Sequence, residues 1–64
     1  MQVNGKAFLH TEGLTLLALL DQLNIPRDRV AVMVGEQVFP SGHIEDVLLK
    51  PEDVIEIVRA MQGG

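Results

Sequence analysis

Leu16, Leu19, Leu20 and Leu23 fall at the i, i+3, i+4, i+7 spacing that lines one side of an α-helix. Thr15 stands just before them as an N-cap, while Asn24 and Pro26 follow as stop signals. Ala18, Asp21 and Gln22 face outward, and Leu17 lies on the flank. A lone helix cannot bury its own stripe, so this one has to lie on something. The remaining readable segments of this 64-residue chain are of strand type. One helix packed across a small sheet is therefore the architecture the chain must find.

The strand segments can be read in order. Met1-Gln2-Val3, Asn4-Gly5 and Ala7–His10 form a hairpin signature, because Asn-Gly supplies the two positive-φ residues of a tight type I′ turn. Glu12-Gly13 ends the second strand. Val30–Val34 is a β-branched run, expected to be covered or semi-covered on both faces. Gly35-Glu36 turns it into Gln37-Val38-Phe39, which Pro40 stops. Ser41 to Asp46 reads as a turn or single helical turn with Ser41 as its cap, and Pro51-Glu52-Asp53 as a turn. Val54–Arg59 is the last strand. The order is ββαβ(β)β, an α+β mixed sheet packed on one helix.

The last strand has a phase. If Ile55 and Ile57 meet the helix, then Val54, Glu56 and Val58 lie on the far face with no segment left to cover them. An open apolar face on a small domain points to a partner. Arg59 is expected at the mouth of the chain end, on that same partner side. Residues 1–59 thus make the folded domain. Ala60-Met61-Gln62-Gly63-Gly64 is expected to run on as a flexible tail whose glycines can pass through a slot too narrow for side chains. Its tip would present a bare carboxylate, a chemical handle.

Composition narrows the function. Five basic against nine acidic side chains give a net charge of −4, and Phe8 and Phe39 are the only aromatics. Nucleic acid wants a basic footprint or stacking rings, and an anionic membrane surface wants basic charge, so neither is an expected partner. No segment approaches membrane length, and the expected location is cytoplasmic. With no cysteine, disulfides, thiolate metal sites and a thiol nucleophile are excluded. His10 and His43 have no third ligand at metal spacing, so no metal is expected. Glu45-Asp46 and Glu52-Asp53 read as solvated charge, and Arg27 and Arg29 as surface charges.

Several of these segments together carry a likeness to a known family. They are Val3-Asn4-Gly5, Glu12-Gly13-Leu14-Thr15-Leu16, Arg29-Val30-Ala31-Val32, Val38-Phe39-Pro40, and Asp53–Ala60 running into Gly63-Gly64. Over its whole length the chain resembles the ThiS family of thiamine-biosynthesis sulfur carriers, which have the ubiquitin-like β-grasp fold. It departs from the pattern at Ser41-Gly42-His43, where relatives often carry a basic residue and a tryptophan. It departs again at Gln62, where another glycine is common.

The resemblance implies a carrier and not an enzyme. An E1-like adenylyltransferase would use ATP to adenylate the Gly64 carboxylate, and no cofactor would be stably bound. A sulfur donor such as a cysteine desulfurase would then give a thiocarboxylate, passed to thiazole synthase. Gly63, Gln62 and Met61 would form the threaded tail, and Val54, Val58 and Arg59 the partner-binding surface. Other readings stay open: a MoaD-like sulfur carrier of molybdopterin synthesis, a ubiquitin-like modifier, or an interaction module whose glycine tail is incidental.

Overall fold

The structure, a computed structural model, describes residues 1–59. The tail residues, 60–64, lie outside them.

The leucine stripe folds as expected. Helix α1, Leu16–Gln22, buries Leu16, Leu19 and Leu20, and Leu23 is half-buried just past its end. Thr15 has extended backbone and its Oγ1 accepts from the Ala18 N–H at 3.3 Å, as an N-cap does. Two further free N–H groups of the first turn are taken by the 40–53 segment. The Leu16 N–H donates to the Val47 carbonyl at 2.8 Å, and the Leu17 N–H to Asp46 Oδ1 at 3.1 Å. Asp46 is thus a helix cap reached across 29 residues, where the sequence read as solvated charge. The helix ends in a Schellman arrangement. Asn24 sits at φ 56, its N–H donates to the Asp21 carbonyl, and the Ile25 N–H to that of Leu20. Asn24 stops the helix, and Pro26 only confirms the exit.

Five strands form one sheet: β1 (Gln2–Val3), β2 (Lys6–Ala7), β3 (Val30–Val34), β4 (Gln37–Phe39) and β5 (Val54–Arg59). Their order is β2-β1-β5-β3-β4, with β1 and β5 parallel and the other pairs antiparallel. This mixed sheet on one helix is the α+β architecture of a ubiquitin-like β-grasp. The last strand in sequence is therefore the middle strand in space. A 3₁₀ turn, Arg27–Arg29, leads from the helix into β3.

Three local expectations need correction. Pairing of β2 stops at Ala7 instead of running to His10. Leu9 is 82% exposed, and His10 turns its Nε2–H to the Leu49 carbonyl at 2.9 Å. Residues 41–46 open with a turn, one of the two forms expected, but Ser41 does not cap it. The Ser41 hydroxyl donates to the Asp28 carbonyl, tying this segment to the 3₁₀ turn. The third is β3, whose outer face is more open than expected: Val30 and Val32 are buried on the inner face, while on the outer one Ala31 is half-buried and Met33 exposed, because one short helix cannot cover two faces.

The core consists of Val3, Leu14, Leu16, Leu19, Leu20, Val30, Val32, Phe39, Leu49 and Ile55, with no polar side chain buried among the described residues. Leu14 and Leu49 enter through a short antiparallel contact, in which the Leu49 N–H donates to the Leu14 carbonyl at 2.9 Å.

Asn4 does two jobs. It and Gly5 take φ values of 52° and 79°, as the type I′ hairpin requires. Turning there ends β1 after Val3, which would strand the Ile57 N–H of the longer β5. The Asn4 side chain fills the gap: its Oδ1 accepts from the Ile57 N–H at 2.7 Å, while its own N–H donates to the Ile55 carbonyl at 2.9 Å.

Replacing Leu20 with Ala removes a side chain that is 1% exposed, and should cost roughly 2–5 kcal/mol in chemical denaturation. A loss below about 0.5 kcal/mol, typical of surface substitutions, would put Leu20 outside the core. Replacing Asn4 with Gly keeps the turn but deletes the acceptor. Stability should fall by about 1 kcal/mol, with faster amide hydrogen exchange at Ile57. Unchanged exchange there would rule out the side-chain bond.

Candidate functional site

The site follows from which strand is central. Because β5 lies between β1 and β3, its alternating side chains serve two different surfaces. Ile55 points to the helix side and is fully buried, and Ile57 is half-buried on the same side. Val54 and Val58 point the other way and are 46% and 57% exposed. Register extends that outer surface across the sheet. Val58 pairs with Ala31, Glu56 with Met33, and Met33 in turn with Val38. Met33 is 41% and Val38 59% exposed. Val54, Val58, Met33 and Val38 therefore form one apolar face with Glu56 among them, uncovered by any described residue.

The expected site residues divide under this geometry. Val54 and Val58 share the open face. Arg59 does not: it pairs with Val30, a buried residue, and strand alternation puts it on the helix side together with Ile55 and Ile57. It is nonetheless exposed, at the end of the strand. The placement of Arg59 on the partner face is thus corrected, although it remains the last described residue before the chain end. Gly64, Gly63, Gln62 and Met61 lie outside the described residues.

Met33 and Val38 are members of the face that the sequence reading left out. The signal was present. Once Val30 and Val32 are set inside, alternation forces Met33 outward, and the Gly35-Glu36 turn brings Val38 beside it. The apolar continuity of β3 hid this phase.

Elsewhere the described surface offers less chemistry. A groove of about 500 Å³ lies beside α1, lined in part by Leu17, Ala18, Asp21, Arg27 and Asp46. One of its carboxylates, Asp46, already accepts from the helix N-terminus. His10 is engaged with the Leu49 carbonyl, and His43 stands exposed in the turn after Pro40. Among the described residues no three metal-ligating side chains converge, and no helix is long and apolar enough to cross a membrane. What the molecule presents is an open apolar face on a central strand that leads into the chain terminus.

Comparison with known proteins agrees in kind. The ThiS family model matches residues 1–64. A sulfur carrier protein ThiS from Thermus thermophilus is 38% identical over 53 residues, covering 83% of each chain. Uncharacterized proteins ycf40 from Porphyra purpurea and Pyropia yezoensis are each 28% identical over 64 residues, covering all of this chain and 90% of theirs. With its β-grasp sheet, its open central strand and a family match over its whole length, the chain belongs to the ThiS family.

Proposed function

We propose that this protein is a sulfur carrier for thiazole formation in thiamine biosynthesis, working through the Gly64 carboxylate. One observation carries the reading. The central strand of the sheet leads into Gly63-Gly64 in a chain matched from first residue to last by the ThiS family model.

The chemistry explains the need for a carrier. A carboxylate is a poor electrophile. An E1-like adenylyltransferase brings ATP to it, the Gly64 oxygen attacks the α-phosphorus, and pyrophosphate leaves. A persulfide on a donor such as a cysteine desulfurase then attacks the acyl carbon, and AMP leaves. A thiol cleaves the resulting acyl disulfide, releasing the thiocarboxylate and leaving the donor sulfur in a disulfide with that thiol. The thiocarboxylate passes its sulfur to thiazole synthase. Every catalytic group belongs to those partners. This chain contributes a terminus without side chains, which can enter a narrow channel, and a surface by which it is held. Val54 and Val58 supply that surface, and Arg59 a contact at the strand end. The proposed setting is the cytoplasm, where the activating enzyme finds ATP.

Tandem mass spectrometry of the C-terminal peptide tests the reading. After incubation with ATP, the adenylyltransferase and a sulfur source, sulfur should be localised to Gly64, and deletion of Gly64 should abolish it. Intact mass alone would not separate sulfur-for-oxygen exchange from oxidation of one of the three methionines. An unmodified tail beside an enzyme active on another carrier would leave only a binding module. Val58→Asp should keep the unfolding midpoint within a few degrees yet weaken enzyme binding about tenfold or more, as loss of a central apolar contact does. An unfolded variant would contradict the open position of Val58.

A further inference from the structure

One charged residue on the outer face restricts what can cover it. Glu56 has Val54 and Val58 two residues to either side on its own strand. Across the sheet it pairs with Met33, and beyond Met33 stands Val38. A body that seals this apolar face against water must desolvate the carboxylate along with it. An unpaired buried carboxylate is costly, so the covering surface has to bring a partner for it. None of the side-chain hydrogen bonds among the described residues involves Glu56.

We propose that the outer sheet face docks a protein surface that sets an arginine or lysine against Glu56 inside an apolar contact. The proposal rests on the carrier reading, which identifies that protein as the enzyme that adenylates Gly64.

Reach ties the enzyme to the end of the sheet that carries this face. Five residues follow Arg59, and fully extended they span at most about 18 Å. An enzyme that holds the terminal carboxylate must therefore bring its body to within that distance of the strand end, beside Val58. The other occupants fail on charge. A second copy docked about a two-fold axis through the face would turn two Glu56 carboxylates toward each other in a dry contact. Two chains of net charge −4 would also repel at longer range. An anionic lipid surface meets the same objection. A cation in an apolar setting answers all three points, and arginine suits it best because its planar fork can engage both carboxylate oxygens. The charge then fixes orientation, which the apolar contact alone would leave loose.

Binding of the full chain to the purified adenylyltransferase, measured by calorimetry for wild type, Glu56→Gln and Glu56→Met, tests this. Methionine enlarges the apolar face while removing the charge, so a simply hydrophobic contact should hold Glu56→Met as tightly as wild type or more tightly. A cation opposite Glu56 should instead weaken both variants at least about tenfold, equivalent to about 1.4 kcal/mol. Thermal unfolding checks that all three chains fold alike. Unchanged or tighter binding of Glu56→Met overturns the proposal. So does concentration-dependent dimerisation of the wild type that Glu56→Met strengthens, which would make the second copy the occupant. Localising sulfur to Gly64 in parallel separates the failures. A wild type that carries sulfur, with variants that bind equally well, sinks only the Glu56 contact. A wild type that neither binds nor is modified sinks the carrier reading, and this contact with it.

Discussion

Everything in this fold depends on the contact between the leucine stripe of α1 and the inner face of the two central strands. Leu16, Leu19, Leu20, Val32 and Ile55 are the largest fully buried side chains, and they come from the helix, β3 and β5 alone. The helix has seven residues, far below the length at which an isolated helix holds in water. It persists because burying its leucines removes apolar surface from water, at about 25 cal/mol per Å². The sheet depends on the same contact, since β1 and β2 pair over two residues each and could not stand alone.

Long-range polar contacts then hold the ends. The 40–53 segment contains no strand or helix, yet it donates or accepts at several points of the body. Asp46 and the Val47 carbonyl close the start of α1. The Leu49 carbonyl accepts from His10, and the Ser41 hydroxyl reaches Asp28. Its own turn is closed by Asp53, whose Oδ2 accepts from the Lys50 N–H at 2.8 Å. Such a strap replaces regular structure with individually satisfied groups, as a buried or half-buried backbone requires.

The division between what the sequence reveals and what it hides follows interaction range. The leucine period, the Thr15 cap, the Asn4-Gly5 turn and the alternation of β5 are encoded within a few residues, and all are found in the structure. Asp46 on Leu17 and Asn4 on Ile57 span 29 and 53 residues, so no local pattern announces them. Ser41 shows the converse. A serine before an acidic stretch looks like a cap, but the hydroxyl finds a distant carbonyl instead. The case of Arg59 is different. Its face follows from the same alternation that placed Val58, and proximity to the chain end was the misleading cue. The open face was half legible: β5 revealed its share, whereas the uniformly apolar β3 concealed Met33 until pairing with Glu56 fixed its phase.

Because β5 is both core and surface, its register matters more than that of any other strand. A slip of one residue would turn Ile55 and Ile57 outward and drive Glu56 into the leucines. Two independent features oppose such a slip. On one side β3 pairs with it over five residues, from Val30–Arg59 to Val34–Ile55. On the other, Asn4 grips it with its N–H on the Ile55 carbonyl and its Oδ1 on the Ile57 N–H. The short hairpin thus does more than close an edge. It fixes the phase that keeps the stabilising residues of β5 apart from those that face outward. Substitutions at Val54, Glu56 and Val58 can accordingly retune recognition while Ile55 and Ile57 hold the fold. A single strand can carry both roles only while that phase is held.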